Sequence, residues 1–224
     1  VTALAIDLLR GNSIECIAII GAGALATAHL ELLPRRLPSL RKIRLFDLDN
    51  NRASVLRNSF GPVLQASGVT IEVVQTAEQA IRPAQLIVPV TTTTSGYIHF
   101  DWLQPGALLI NVSLDDPLPE VILRADKVIV DDWKLVMSDS KRLIGRMYRE
   151  RLIDGPDAPD MPTPGIRCKI DAQLGEIVIG TKIGRANEDE IIIVNPFGLS
   201  IEDVAIASQV YQMAIRLRLG VHLA

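Results

Sequence analysis

Three small residues at fixed spacing form the segment of this chain best suited to bind a phosphate. Gly21, Gly23 and Ala26 fill the pattern G-x-G-x-x-G/A directly after the apolar run Ile14–Ile20. The first glycine permits a tight turn, the second lets the main chain approach a pyrophosphate on the helix N-terminus, and the third small residue lets that helix pack on the strand. The same turn could also connect a strand and a helix without a ligand. The residues predicted to bind are Gly21, Ala22, Gly23, Ala24, Leu25 and Ala26.

An acidic residue ends the next apolar segment, KIRLFDLD. A carboxylate at the position of Asp47 accepts hydrogen bonds from the hydroxyls of an adenosine ribose and repels a 2′-phosphate. Arg52 is close enough in sequence to accommodate such a phosphate instead. We therefore predict a nicotinamide dinucleotide as the cofactor, and NAD rather than NADP.

Hydroxyl side chains follow the apolar segment QLIVPV. The carboxyl end of this strand would face the cofactor crevice, where Thr91 and Thr92 could line the nicotinamide side. Alternatively, each threonine could satisfy the main chain of its own loop.

Two carboxylates and a hydroxyl follow the segment ALLINV. Asp115 and Asp116, with Ser113 beside them, could hold a substrate amine or exchange its proton next to the nicotinamide. A structural interpretation is equally open, because Asp116 before Pro117 is typical of a helix N-cap. A second acidic pair, Asp131–Asp132, follows the next strand.

The junction Asn195–Leu199 is a further candidate. Its proline and glycine indicate either a shaped loop close to the cofactor, with Phe197 and Gly198 as contacts, or a plain strand–helix turn. His29, His99 and His222 lack metal-ligand spacing, so we predict no metal site. The chain also lacks the G-x-S-x-G motif of many hydrolases.

Apolar runs alternate with helical segments along most of the chain. This alternation predicts an α/β fold with a doubly wound parallel sheet of the Rossmann type. The predicted strands are Ile14–Ile20, Lys42–Phe46, Thr70–Val74, Gln85–Val90, Ala107–Val112, Lys127–Val130 and Glu190–Val194. The predicted helices between them are Ala22–Leu33, Asn50–Gln65, Thr76–Ile81 and Leu118–Leu123.

The two ends of the chain lie outside this pattern. We assign residues 14–195 to the dinucleotide-binding domain and predict helices over Val1–Arg10 and Ser200–Leu219. The segments 1–13 and 196–224 could pack toward a second domain, or they could simply cover the sheet. The proline- and glycine-rich stretch Gly155–Gly165 predicts a loop.

The composition narrows the class of protein. Hydrophobic residues make up 48% of the 224 residues, charged residues make up 22%, and the net charge is −3. These values are typical of a globular domain and favour neither nucleic acid nor an anionic membrane as a partner. The apolar runs have the length of strands, and we see no targeting segment, so we expect a cytoplasmic protein.

Six segments, spread over nearly the whole chain, match a known pattern: VTALAIDLL, IGAGALATAHLELL, RLFDLD, LLINVSLDDPLPEVIL, VIVDDW and QLGEIVIGTKIGRANEDEIIIVNPFGLSIEDVAIA. Together they resemble the ornithine cyclodeaminase/mu-crystallin family. The pieces NVSLDD-LPE and NPFGLSIEDVA are most similar to its branch of 2,3-diaminopropionate biosynthesis dehydrogenases, which use NAD to oxidise an amino-acid–glutamate conjugate.

The resemblance implies roles for particular residues. Gly21, Gly23 and Ala26 match the pyrophosphate turn, Asp47 matches the ribose acid, and Asp116 falls approximately at the family's catalytic aspartate. Asp115 or Ser113 would support it. The loop SLDDPLP departs from the glycine-rich loop of the cyclodeaminases, which favours the dehydrogenase branch. Family members also carry an N-terminal substrate and dimerisation domain that this sequence lacks, so we expect a fragment, a naturally shortened relative or one piece of a processed protein, and a homodimer at full length.

Three functions therefore remain open. The first is an NAD-dependent oxidoreductase that acts on a C–N bond of a small amino-acid-derived substrate by hydride transfer and imine hydrolysis. The second is a lyase of the cyclodeaminase type that recycles bound NAD. The third is a non-catalytic nucleotide-binding protein like the crystallins.

Overall fold

The computed structural model describes residues 1–11, 13–158 and 168–221. His222 and most of the predicted loop 155–165 lie outside the described residues. The strands are Cys16–Ile20 (β1), Lys42–Phe46 (β2), Thr70–Val73 (β3), Leu86–Pro89 (β4), Leu108–Ile110 (β5), Lys127–Val130 (β6), Ile153–Asp154 (β7), Cys168–Lys169 (β8), Ala172–Gln173 (β9) and Ile192–Asn195 (β10). The helices are Thr2–Leu9 (α1), Ala24–Arg36 (α2), Asn50–Ala66 (α3), Ala77–Ile81 (α4), Pro119–Arg124 (α5), Trp133–Ser138 (α6), Leu143–Arg149 (α7), Leu174–Val178 (α8) and Ser200–Leu217 (α9), with a 3₁₀ turn at Phe100–Trp102.

A parallel sheet in the order β3-β2-β1-β4-β5-β10-β6-β9 forms the centre of the molecule. The central strands β1, β4, β5, β6 and β10 are buried on both faces, which explains why their sequences are mostly apolar, whereas β2 and β3 near the edge are partly exposed. The predicted α/β class with a doubly wound parallel sheet is confirmed. β7 and β8 form a separate small parallel pair.

The last strand of the chain lies inside the sheet and not at its edge. Ile192 of β10 pairs with Leu108 of β5 on one side and with Lys127 of β6 on the other. The apolar pattern predicted this strand but not its place, because a run of isoleucine and valine fits any central position.

The two terminal helices differ in their packing. In α1, Ala5, Ile6 and Leu9 are fully buried and join the core on one face of the sheet, as in the alternative in which this helix covers the sheet. Whether its other face meets a second domain stays a prediction. No residue of α9 is buried, although Ile201, Val204 and many other side chains of this helix are apolar.

No helix in the described part of the chain is long and apolar enough to cross a membrane.

Candidate cofactor crevice and reaction centre

A cavity of about 670 Å³ runs along the carboxyl ends of β1, β2, β3 and β4. Its volume lies within the range of small-molecule sites, roughly 300–1,000 Å³. Most of its walls come from the turns that follow these strands. The lining residues are Ile20, Gly21, Ala22, Gly23, Phe46, Asp47, Leu48, Asp49, Arg52, Gln75, Thr76, Ala77, Val90, Thr91, Thr92, Thr93 and Tyr97.

The glycine turn forms the middle of this cavity. Gly21 has a φ of 102°, and a Cβ atom there would lie 2.9 Å from the carbonyl oxygen of Val90. Both the main-chain conformation and the approach of β4 therefore require glycine. Gly23 precedes α2, whose first N–H groups have no capping side chain, and Ala26 is fully buried. The uncapped helix end is suited to a phosphate, since its N–H groups need an acceptor.

Ala24 and Leu25 begin α2 but are not among the lining residues. The predicted phosphate site can therefore use their main-chain N–H groups and not their side chains. The half-exposed side chain of Leu25 is free to meet another part of the protein or solvent.

Asp47 is held against the glycine turn by its own carboxylate. Its Oδ2 accepts a hydrogen bond of 2.6 Å from the Ala22 N–H, and its Oδ1 accepts one of 2.8 Å from the Asp49 N–H. A carboxylate oxygen can accept a second hydrogen bond, so both oxygens retain capacity for ribose hydroxyls.

A cation lies beside this acid. One guanidinium nitrogen of Arg52 is 3.6 Å from the place where a Cβ of Gly23 would be. Within the described ranges, no carboxylate forms an ion pair with Arg52. This end of the cavity therefore presents both signs of charge to a ligand.

Residues that follow β3 also belong to the site, although no sequence motif predicted them. Gln75, Thr76 and Ala77 line the cavity, and the Thr76 hydroxyl caps α4 by accepting from the Gln79 N–H at 3.1 Å. The available signal was their position after an apolar strand, because the carboxyl ends of parallel strands share one edge of a sheet. Leu48, almost fully exposed, also lines this end.

A carboxylate surrounded by hydroxyl groups lies at the other end of the crevice. Oδ1 of Asp116 accepts hydrogen bonds of 2.8 Å from both Thr91 Oγ1 and Tyr97 Oη, and Oδ2 accepts one from Ser113 Oγ. Thr91 and Tyr97 line the cavity, whereas Asp116 is 0% exposed and lies directly behind them. The hydroxyl groups around this carboxylate thus come from two loops, the one after β4 and the one after β5. No sequence motif predicted Tyr97.

The environment of Asp116 perturbs its ionisation. Burial raises the pKa of this carboxyl, the hydrogen bonds from Ser113, Thr91 and Tyr97 oppose the rise, and the charge of Asp115 adds to it. The pKa of Tyr97 is also raised, mainly by burial and then by the charge of Asp116, so the phenol keeps its proton. A buried carboxyl with a raised pKa beside a cavity is a common feature of acid–base sites.

Asp115 and Asp116 are neighbours in sequence but have different hydrogen-bond partners. Leu114, which precedes them, has a φ of 77°, unusual for a residue with a side chain. Asp115 is ion-paired with Arg142 at 3.0 Å and with Arg146 at 3.2 Å, and it accepts the Leu143 N–H at 2.8 Å. Asp115 therefore fastens α7 to this loop and is not brought to the lining of the crevice.

Only some of the other residues predicted to contact the cofactor line the cavity. Thr92 lines the cavity, whereas Ser113, Phe197 and Gly198 do not. The Gly198 N–H donates to Asp131 Oδ2 at 2.6 Å, and Phe197 packs against the apolar core. The loop after β10 is thereby tied to the loop after β6.

The arrangement can bind a dinucleotide and place a buried base at its end. Asp47 and the uncapped start of α2 fit a ribose and a pyrophosphate, while the hydroxyl cluster around Asp116 fits a proton-exchanging group. Groups of histidine, cysteine and acidic side chains able to hold a metal ion are absent from the residues that the structure describes.

Several known proteins are similar to this chain. It is 27% identical over 220 residues to N-((2S)-2-amino-2-carboxyethyl)-L-glutamate dehydrogenase of Staphylococcus aureus, covering 98% of this chain and 61% of that protein. It is 28% identical over 217 residues to alanine dehydrogenase of Archaeoglobus fulgidus, covering 95% and 61%. The chain thus spans about three-fifths of these relatives.

Solved structures agree with the fold. The crystal structure of CmnK matches with a TM-score of 0.84 and 30% identity, covering 100% of this chain and 61% of that one. The Thermococcus litoralis Delta(1)-pyrroline-2-carboxylate reductase in complex with NADH and L-proline matches with a TM-score of 0.81 and 22% identity, covering 99% and 65%. The profile of the ornithine cyclodeaminase/mu-crystallin family matches residues 1–216, so the chain belongs to that family.

Proposed function

We propose that this chain supplies the cofactor site and one wall of the active site of an NAD-dependent oxidoreductase that acts on a C–N bond of an amino-acid-derived substrate. The observation that carries the proposal is a single crevice with Asp47 at one end and the buried Asp116 cluster at the other. The glycine turn lies between them, where a dinucleotide has its pyrophosphate.

The cofactor we propose is NAD. Asp47 has acceptor capacity for both ribose hydroxyls, and its charge opposes the 2′-phosphate of NADP. Arg52 is positioned to meet the phosphates. Bound NAD would accept a hydride at the nicotinamide, while the chain binds it, orients it and supplies the groups beside it.

The substrate we propose is an amino-acid–glutamate conjugate such as N-(2-amino-2-carboxyethyl)-L-glutamate. Support comes from the name of the Staphylococcus aureus relative and from the acidic reaction end. Loss of hydride from the α-carbon leaves an imine, and hydrolysis of that imine yields a 2-oxo acid and a free amine. Asp116 is the base for the proton that the amine loses, with Ser113 in direct contact and Asp115 holding the loop.

The domain arrangement is part of the proposal. α9 exposes apolar side chains along its whole length, and the relatives are longer than this chain. We propose that residues 196–224 pack against a substrate and dimerisation domain, and that the complete protein is a homodimer. A neighbouring structure of the same fold, an archaeal alanine dehydrogenase with bound NAD, is a dimer.

The first experiment is a titration with NADH and NADPH, followed by the fluorescence of Trp102 and Trp133. We expect tighter binding of NADH than of NADPH. Equal affinities would contradict the role of Asp47, and no binding of either would contradict the cofactor site.

The second experiment separates the dehydrogenase from the lyase. With N-(2-amino-2-carboxyethyl)-L-glutamate and NAD, we expect net formation of NADH at 340 nm. A cyclodeaminase would instead release ammonia from ornithine without net NADH. Binding of NADH without turnover of either substrate would favour a non-catalytic protein.

A further inference from the structure

Asp116 has no direct access to the crevice. Its side chain is 0% exposed, and its two carboxylate oxygens accept hydrogen bonds from Thr91, Tyr97 and Ser113. A ligand in the cavity would meet the residues in front of Asp116 before it could reach the carboxylate. Any influence of Asp116 on a ligand must therefore pass through one of these hydroxyl groups.

Tyr97 is the hydroxyl residue best placed to pass on this influence. It lines the cavity, and its single phenolic proton is donated to Asp116 Oδ1 at 2.8 Å, which leaves only lone pairs for another partner. Thr91 also lines the cavity, but its oxygen already accepts the Thr93 N–H at 3.1 Å. In the part of the chain that the structure describes, the Tyr97 hydroxyl has Asp116 as its hydrogen-bond partner.

The main chain holds this pair rigidly. The Tyr97 and Ile98 N–H groups both donate to the main-chain carbonyl of Asp116, at 2.8 and 3.0 Å. A Cβ atom on Gly96 would lie 2.6 Å from the Pro117 carbonyl oxygen, so only glycine lets the two loops approach so closely. The main chain of Tyr97 is therefore held in place by bonds other than that of its hydroxyl.

Resting on the function proposed above, we infer that Tyr97 is the catalytic residue that contacts the reacting amine, and that Asp116 is a positioning residue that acts through it. The lone pairs of Tyr97, backed by a carboxylate, suit an N–H donor and disfavour a carboxylate or a carbonyl oxygen. This end of the crevice therefore selects for a nitrogen substituent at the carbon that is oxidised.

Two proton transfers would accompany the loss of hydride from the substrate. As the α-carbon loses its hydride to the oxidised nicotinamide, the nitrogen lone pair forms the C=N bond and the N–H proton moves to Tyr97 Oη. The phenolic proton of Tyr97 moves at the same time to Asp116 Oδ1. Burial, which raises the pKa of Asp116, makes this carboxylate a better proton acceptor than an exposed one.

The test uses the full-length protein with NADH bound, because a reduced cofactor and an amine cannot react with each other. N-(2-amino-2-carboxyethyl)-L-glutamate is titrated into this complex and followed by NADH fluorescence. For Tyr97→Phe we expect the affinity for the amine to fall about 10-fold, the effect of one lost hydrogen bond, while the affinity for NADH is unchanged. Tyr148→Phe is the matched control and should change neither, because Tyr148 packs edge-on against Trp133 away from the lining of the crevice.

Asp116→Asn tests whether the carboxylate is needed to take up a proton or only to fill its place behind Tyr97. An asparagine oxygen can still accept the Tyr97 hydroxyl but cannot take a proton, so we expect amine binding to be largely retained while kcat falls about 10²–10⁴-fold. The double variant with Tyr97→Phe should lose no more kcat than the poorer single variant, because the two groups act as a unit.

The outcomes are distinguishable. Unchanged amine binding in Tyr97→Phe, or additive losses of kcat in the double variant, would overturn the inference. Binding of the amine by the wild-type protein with NAD, without formation of NADH from it, would overturn the proposed reaction. The effect of Tyr97→Phe on amine binding would then still decide whether Tyr97 contacts the amine. If the NADH complex binds neither this conjugate nor L-ornithine, both proposals are overturned.

Discussion

The two ends of the crevice each contain an aspartate after a strand, but the two carboxylates are held in different ways. Asp47 is half-buried and is bonded to main-chain N–H groups of neighbouring turns. Asp116 is fully buried and is bonded to three hydroxyl side chains from two loops. The carboxylate of Asp47 can contact a ligand directly, whereas the carboxylate of Asp116 lies behind hydroxyl groups that the ligand would contact first. The same residue type is thus suited to bind a cofactor at one end and to accept a proton at the other, because the surroundings of the two carboxylates differ.

Gly21→Val tests the turn that both ends share and should have the largest effect. The side chain would require a forbidden φ and would collide with Val90, so we expect a loss of about 2–4 kcal/mol of unfolding free energy and of detectable NADH binding. Urea denaturation and NADH titration measure the two effects. Gly68→Ala is the control: its φ is 76° with no atom within 4 Å, so it should cost stability and leave NADH binding intact.

Asp47→Ala tests the recognition end alone. Removal of both carboxylate oxygens should weaken NADH binding about 10- to 100-fold and NADPH binding less, because the repulsion of the 2′-phosphate disappears as well. Asp7→Ala, which removes an exposed acid paired with Arg36, controls for net charge. An unchanged ratio of the two affinities would show that Asp47 does not select between the cofactors.

Asp115→Ala tests whether the neighbour of Asp116 is structural. Loss of the buried carboxylate leaves the Leu143 N–H without its partner, whereas Arg142 and Arg146 are exposed enough to regain water. We expect a loss of about 1–3 kcal/mol in unfolding free energy with unchanged affinity for NADH. A large fall in NADH affinity without a stability change would assign Asp115 to the cofactor site.

Asp116→Asn gives the smallest effect on stability, and its sign depends on pH. Burial raises the pKa of Asp116 in the folded protein above the ordinary value of 3.8. Protonation of Asp116 therefore stabilises the folded state. This stabilisation is complete below pH 3.8 and is lost as pH rises through the folded-state pKa. Asparagine cannot ionise, so the wild-type protein should lose stability relative to the variant as pH increases. Urea unfolding from pH 4 to 8 measures this difference, and a difference of opposite slope would mean that the hydroxyl bonds outweigh burial.

The features that the sequence predicted correctly are those with local signals. Continuous apolar runs indicated the strands, and the glycine spacing indicated the turn whose φ and contact with Val90 require glycine at position 21. The position of Asp47 at the cavity was predictable because the end of a strand has a fixed relation to the sheet edge.

The features that were missed depend on contacts between distant segments. Tyr97 gains its importance from a hydrogen bond to Asp116, which no local pattern reveals. The divergence of Asp115 from Asp116 follows from Leu114 and from α7, a helix that the apolar pattern did not indicate. Likewise, helices were predicted at both ends of the chain, and only packing shows that α1 has a buried face and α9 has none.

The place of β10 has a consequence for how the chain folds. β5 and β6 do not touch directly but are joined by β10, and Asn111 at the end of β5 pairs with Asn195 at a separation of 84 residues. During synthesis, β5 and β6 therefore each keep one unpaired edge until residues 192–195 have left the ribosome. Such long-range closure slows folding and exposes the nascent protein to aggregation. Chain termination before residue 192 would therefore leave a five-stranded sheet and a separate two-stranded one, and not a shorter version of the same fold.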